Sequence, residues 1–294
     1  MPGEPSPTSA VSRSKMLQSS DGSKIYAEAS GNPKRPHVIL MHGFTLSAAV
    51  FDEFCRLPLL LEELYIVRYD MRGHGRSAKP DTQDGHLSRL YADDFMTVVR
   101  AFNLEYPIFV GWSIGGAIVA DLCANVDPLP ISGVLYLASV PHTSSLMSGS
   151  ATQYLLSLIA SCDDHSTTSS ALLRLVDGCF ASPHAPPPTF QTHCLFAGMQ
   201  TLQSKAIRDA ASRRTQETHT LWEKMEEGLP VCAMHGTDDM LVDGNFLERE
   251  LRKHAKNLDI KIVDGAGHAL FWEMPDETAE VVVQFAKKVW KRPQ

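Results

Sequence analysis

The segment Gly111-Trp112-Ser113-Ile114-Gly115-Gly116 sets one hydroxyl between closely spaced glycines. An apolar run, Tyr106-Pro107-Ile108-Phe109-Val110, precedes it, and Ala117-Ile118-Val119-Ala120-Asp121-Leu122 follows, so a buried strand is predicted to turn directly into a helix with Ser113 at the corner. This G-x-S-x-G spelling is that of a nucleophile elbow: the serine backbone is forced into a strained turn, and the residues two before and two after it must be small. Gly111 and Gly115 meet that demand, and Gly116 relieves helix–strand packing further. Backbone strain of this kind concentrates at functional sites. A hydroxyl at its free pKa attacks poorly, so the chemistry requires a general base within hydrogen-bond reach and a carboxylate to orient that base. Two later segments supply them: His235-Gly236-Thr237-Asp238-Asp239, and Asp264-Gly265-Ala266-Gly267-His268. Both Asp238 and Asp239 satisfy the need for an acid. The chain order Ser, Asp, His is the one expected for this elbow.

Elements that place those segments at one edge can be read along the chain. Asp21-Gly22 between Met16–Gln18 and Lys24–Ala29 predicts an antiparallel hairpin. His37-Val38-Ile39-Leu40-Met41 is a short unalternating apolar run, as in a strand covered on both faces, and it ends in the turn His42-Gly43-Phe44-Thr45. A helix over Ala48–Glu62, a strand over Tyr65–Tyr69, a glycine turn over Asp70–Ser77 and a helix over Leu90–Phe102 follow. After the elbow comes the strand Gly133–Ala138. Strands alternating with helices predict an α/β fold with a mostly parallel, doubly wound sheet, its strand C-terminal ends sharing one edge where ligands bind.

Alternation stops after Pro141. Helical patches are expected over Ala151–Ala160, Ala171–Phe180, Thr201–Ala211 and Thr218–Glu227, with no strand between and a break at Ala185-Pro186-Pro187-Pro188. A strand over Val231–Met234, a helix over Asn245–His254, a strand over Leu258–Val263 and a final amphipathic helix restore the pattern. The division is therefore a disordered tail over 1–15, a first core part over 16–140, a helical cap (lid) over 141–228 inserted after the sixth strand, and a second core part over 229–294.

With 294 residues, 44% of them hydrophobic, the chain can bury a large core. Its net charge of −7 argues against nucleic-acid or anionic-membrane surfaces, and no apolar run reaches the ~20 residues of a membrane span. The Pro- and Ser-rich start lacks an apolar signal core, so a cytoplasmic location is expected. The six cysteines contain no C-x-x-C pair and read as reduced thiols rather than a disulfide framework or zinc site.

Taken together, the blocks His42-Gly43-Phe44, Asp70-Met71-Arg72-Gly73-His74-Gly75-Arg76-Ser77, Gly111–Gly116, His235–Val242 and Gly265-Ala266-Gly267-His268 make the chain resemble the α/β-hydrolase superfamily. The likeness is to its single-lid branch of esterases, cofactor-free haloperoxidase-like enzymes, enol-lactone hydrolases and carbon–carbon bond hydrolases. It covers about residues 20–140 and 229–294 and is far weaker across the lid. The resemblance implies Ser113 as nucleophile, Asp239 as orienting acid and His268 as base, with the backbone N–H groups of Phe44 and Ile114 as oxyanion hole. It also implies a small-molecule substrate and no cofactor or metal. Relatives with Asp at the elbow form an ester intermediate that Ser113 cannot, which sets dehalogenase and epoxide-hydrolase chemistry aside. The expected activity is cleavage of an ester, thioester or lactone. Alternatives are a carbon–carbon bond hydrolase or cofactor-free oxygenase with the same triad, an acyltransferase, and a non-catalytic ligand receptor. His42, Thr45, Trp112, His142 and Leu270 are candidates for the pocket wall. Apolar lid residues such as Tyr154, Leu155, Leu158, Leu175, Phe196 and Met199 divide between lid core and pocket.

Overall fold

The computed structural model describes residues 13–145, 149–162, 166, 168–180 and 186–290. Eight strands form one sheet in the order β1-β2-β4-β3-β5-β6-β7-β8. They are β1 (Arg13–Gln18), β2 (Lys24–Gly31), β3 (His37–Met41), β4 (Tyr65–Tyr69), β5 (Ile108–Trp112), β6 (Gly133–Leu137), β7 (Pro230–Gly236) and β8 (Asn257–Val263). β1 and β2 pair antiparallel about Asp21-Gly22, with Gly22 at φ 84°, a conformation glycine adopts without a Cβ penalty. β2 meets β4 antiparallel, and β3 through β8 run parallel to one another, with β4 alongside β3. The first strand begins at Arg13 rather than near Met16, because Arg13, Ser14 and Lys15 continue the ladder opposite Ala29, Glu28 and Ala27. Residues 1–12 of the expected tail lie outside the described residues.

Alternate side chains of the central strands feed two cores. Val38, Leu40, Val110 and Leu135 point to one face; Ile39, Met41, Phe109 and Val134 point to the other. The first face is covered by α1 (Pro58–Glu63) and α10 (Pro275–Val289), the second by α2 (Ser88–Ala101), α3 (Ile118–Asn125) and α9 (Gly244–His254). The helix expected over Ala48–Glu62 is instead two short 3-10 turns, Ala48–Phe51 and Phe54–Arg56, followed by α1. Pro58 lacks an N–H and is favoured at the first turn of a helix, so it starts a new one rather than continuing the old.

Between β6 and β7 lie α4 (Gln153–Cys162), α5 (Thr168–Cys179), α6 (Phe190–Gln200), α7 (Lys205–Ser212) and α8 (His219–Glu227). α4 and α5 pack on each other, and α5 packs on α6. α8 packs against α3 and α9 instead, burying Leu221 and Met225 in the second core. The last turn of the inserted stretch therefore belongs structurally to the sheet's helical cover. Among the described residues, no helix is long and apolar enough to cross a membrane.

One buried ion pair ties the inserted segment to the core. Arg214, between α7 and α8, donates to Asp121 Oδ2 of α3 from Nη2 at 2.8 Å and Nε at 3.2 Å, and its guanidinium lies 4.0 Å from the Tyr91 ring centroid. The two side chains are 3% and 0% exposed. Removing one partner leaves the other charge buried and uncompensated, so Asp121→Ala is expected to destabilise the fold by about 3–5 kcal/mol, read as a lowered urea midpoint. An unchanged midpoint would show that the pair contributes no such anchor.

Candidate active site

β5 ends at Trp112 and Ser113 takes φ 56°, a left-handed backbone for a residue with a Cβ. The crowding behind the G-x-S-x-G spelling is visible atom by atom. A Cβ on Gly111 would stand 2.5 Å from the Gly116 Cα, and one on Gly115 would stand 2.5 Å from the His42 carbonyl oxygen. The Ser113 carbonyl accepts from Ser139 Oγ at 2.5 Å and from the Val140 N–H at 3.3 Å, which holds the strained residue in place. Ser139 and Val140 carry no sign of this role in the sequence, since a bond to a backbone acceptor of the neighbouring strand's turn leaves no local signature.

His268 follows β8 on the loop that Gly265 opens at φ 70°. Its Nδ1–H donates to Asp239 Oδ2 at 2.8 Å, and the two side chains are each 2% exposed. Asp239 Oδ1 accepts from the N–H groups of Leu241 at 2.8 Å and Val242 at 3.0 Å, so both carboxylate oxygens are held. Asp238 turns elsewhere: its N–H bonds the Ala266 carbonyl at 2.9 Å, and its carboxylate meets Thr237 Oγ1 at 3.4 Å. The His268 loop is braced twice. Trp112 Nε1–H donates to the His268 carbonyl at 2.9 Å, and the buried Glu273 accepts the Gly267 N–H at 2.6 Å.

Ser113 and His268 line the same cavity, which holds about 580 Å³, within the range of small-molecule pockets. Phe44 and Ile114 line it too, and neither N–H has a hydrogen-bond partner among the described residues. The Phe44 loop is fixed from below by the buried Asp70, which accepts from Ala48 N–H at 2.8 Å and Arg76 N–H at 2.7 Å. Arg76 beside it holds the Asp70 carboxyl below its usual value against the opposing effect of burial.

The five other wall candidates are not part of this lining. His42 donates from Nδ1 to the Gly43 carbonyl at 2.8 Å and accepts the Met71 N–H on Nε2 at 3.0 Å, tying two loops together. Thr45 is fully buried and donates to the Phe44 carbonyl at 2.6 Å. Trp112 packs against the His268 ring with centroids 5.3 Å apart and planes tilted by 44°. His142 bonds Ser144 Oγ at 2.9 Å and faces Trp222, leaving the adjacent Thr143 to the cavity. Leu270 lies wholly within the first core.

Of the lid residues, Leu155, Leu158 and Leu175 reach the cavity, while Tyr154, Phe196 and Met199 do not. A second part of the wall went unread in the sequence: Lys205, Arg208, Asp209, Ser212 and Arg213 of α7 and its end. Their three-and-four spacing marks one polar helix face, which sequence alone equates with a face turned to water.

A further histidine matters to stability. His74 is enclosed, donates from Nδ1 to the Arg72 carbonyl at 3.1 Å, and has no partner for Nε2 among the described residues. Burial, and then the neighbouring His42, push its pKa well below the ordinary 6.5. Burial lowers that of His42 also. Below pH 6.5 the unfolded chain binds protons that the folded one refuses, so their contribution is full above that pH and is lost as pH falls. The urea midpoint is expected to drop between pH 7.5 and pH 5, and to drop less in His74→Gln. An equal drop in both proteins would remove His74 from the account.

Residues 38–281 match the family model described as the alpha/beta hydrolase family. The chain belongs to this family. It is 32% identical over 126 residues to a non-heme chloroperoxidase of Streptomyces lividans, covering 42% of this chain and 44% of that protein. At 30% identity or better, the chain spans less than half the length of the curated relatives it matches. At 22% identity over 264 residues it matches a non-heme chloroperoxidase-named protein of Synechocystis across 84% of this chain and 90% of the other. Among solved structures, an esterase from a Rhodococcus species superposes with a TM-score of 0.82 at 21% identity, covering 94% of this chain and 99% of that one. A bromoperoxidase from Bacillus anthracis gives 0.74 at 19% identity, over 94% and 100%. These structures share the fold.

Proposed function

We propose that this protein is a serine hydrolase that cleaves an ester, thioester or lactone through a covalent acyl-enzyme. The observation that supports it most is the His268–Asp239 hydrogen bond of 2.8 Å in the cavity that Ser113 also lines. With its proton on Nδ1 and directed at Asp239, the imidazole presents a basic Nε2. His268 takes the Ser113 proton as Oγ attacks the substrate carbonyl. The carbonyl oxygen, now anionic, is received by the N–H groups of Phe44 and Ile114, where one donor is worth ~3 kcal/mol. Collapse expels the leaving group, protonated by His268, and leaves the acyl group on Ser113. Water, deprotonated by His268, attacks the acyl carbon and regenerates the serine. Asp239 stays ionised throughout and stabilises the imidazolium.

The apolar wall of Leu155, Leu158, Ile159, Leu175 and Leu241 suits a medium-sized apolar substrate part. Fluorophosphonate labelling combined with turnover of a chromogenic short-chain ester tests the reading. Labelled Ser113 and a burst followed by steady turnover are expected. Folded protein that binds ligand tightly, takes up no label and turns over no ester would be a receptor on the hydrolase fold instead.

A further inference from the structure

Arg208 stands apart from the other buried arginines. Among the described residues, Arg68, Arg72 and Arg214 each meet a carboxylate, with Nη2 at 2.8 Å from Asp52, 2.7 Å from Asp94 and 2.8 Å from Asp121 respectively. Arg208 is about as enclosed as they are, at 7% exposure, yet among the described residues its guanidinium makes one hydrogen bond, from Nη1 to the Gln203 carbonyl at 2.9 Å. It forms no ion pair among the described residues. The space it borders is the cavity of Ser113 and His268.

An enclosed cation without a counter-ion is costly, and such charges are ordinarily paired. The adjoining groups do not supply the missing partner. Asp209, in the same wall, receives Lys205 Nζ at 2.5 Å and lies 3.9 Å from Arg213 Nη2, so one carboxylate already faces two cations. α7 and its end thus bring Lys205, Arg208, Asp209 and Arg213 to a cavity otherwise lined largely by aliphatic side chains such as Leu155, Leu158, Ile159 and Leu175. A guanidinium fork with free donors matches the two oxygens of a carboxylate and forms charge-assisted hydrogen bonds with it.

We propose that Arg208 is the carboxylate-binding residue of this cavity, and that the ester, thioester or lactone cleaved at Ser113 carries a carboxylate elsewhere in the molecule. This inference rests on the serine-hydrolase reading for its reaction, but the binding of the anion stands separately. The substrate is a monoester or lactone of a dicarboxylic kind, its neutral carbonyl at Ser113 and its ionised end at α7. Arg208 orients it, so the reacting carbonyl arrives placed rather than diffusing within an apolar slot.

The test pairs the mono-4-nitrophenyl esters of glutarate and adipate with the equally long 4-nitrophenyl pentanoate and hexanoate. Wild-type protein is expected to favour the better-fitting anionic ester by about 10- to 100-fold in kcat/KM, the scale of a charged hydrogen bond in an enclosed site. Arg208→Gln is expected to collapse that ratio towards one, and Arg208→Lys to restore part of it. A merely structural Arg208 would alter both esters alike. Glutarate binding by calorimetry to folded Ser113→Ala protein provides a readout free of turnover. Equal kcat/KM for the paired esters in wild type, or no heat with glutarate, overturns the assignment and leaves the hydrolase reading intact. Glutarate binding without turnover of any ester sinks the hydrolase reading and supports the anion site. Inorganic phosphate binding more tightly than glutarate overturns the choice of a carboxylate.

Discussion

Ser113→Ala is expected to lower kcat on a chromogenic ester by on the order of 10⁶-fold and to abolish both the acylation burst and fluorophosphonate labelling. The size follows from what the substitution removes. Without Oγ there is no acyl-enzyme, and His268 and Asp239 have no proton to move, so the three groups fail as a unit. What remains is binding and the Phe44 and Ile114 donors acting on direct attack by water, a residual that stays above the uncatalysed rate. Alanine keeps the Cβ and with it the left-handed strain at φ 56°, so the melting temperature is expected to hold and the loss to be chemical. Measuring kcat beside a thermal melt separates the two. A variant that melts normally and still shows a burst would remove Ser113 from the mechanism and, with it, the acyl-enzyme.

That the serine could be singled out from the sequence, while the cavity around it could not, has a physical basis. The elbow is specified locally: Gly111, Gly115 and Gly116 must lack side chains because the Gly116 backbone, the Met41 and His42 carbonyls and the Ser139 hydroxyl respectively come within 2.1–2.8 Å of a would-be Cβ. Such a demand is written in consecutive residues. β3, β5 and β6 were legible for a similar reason, since burial on both faces leaves a short unbroken apolar run. The block after β3 misled because its apolar spacing suits one helix, while Pro58 divides it. α6 went unread because its apolar residues surround the helix: Phe190 is 80% exposed and Leu195 45%, yet Phe196 is buried. The wall is harder still. His142 and Leu270 follow strand ends, as pocket residues do, but a turn directs one to Trp222 and the core encloses the other. Arg208 depends on how α7 sits against the sheet edge, and nothing within Lys205–Ser212 distinguishes a face turned to a cavity from one turned to water.

Asp239→Asn is expected to reduce kcat at neutral pH by about 10⁴-fold, whereas Asp238→Asn is expected to stay within a few-fold of wild type. The two residues are neighbours of the same type, and only geometry divides them. The Asp239 carboxylate holds the Leu241 and Val242 N–H groups with Oδ1 and the His268 Nδ1–H with Oδ2. In the asparagine variant the amide oxygen satisfies the two N–H groups, which leaves the NH₂ facing His268. A donor opposite Nδ1 makes that nitrogen the acceptor and moves the imidazole proton to Nε2. The ring then turns a proton, not a lone pair, towards the cavity and cannot take one from Ser113. The loss therefore falls on kcat while the fold and the cavity persist, and fluorophosphonate labelling slows in step. Asp238 holds no such position: its side chain meets Thr237 at 3.4 Å, and its structural bond is made by the backbone. Rates measured for both variants under the same conditions decide the matter. A large loss in Asp238→Asn with near-normal turnover in Asp239→Asn would mean that the imidazole is oriented by a different carboxylate in the working enzyme, and the proton path drawn from His268 would have to be redrawn.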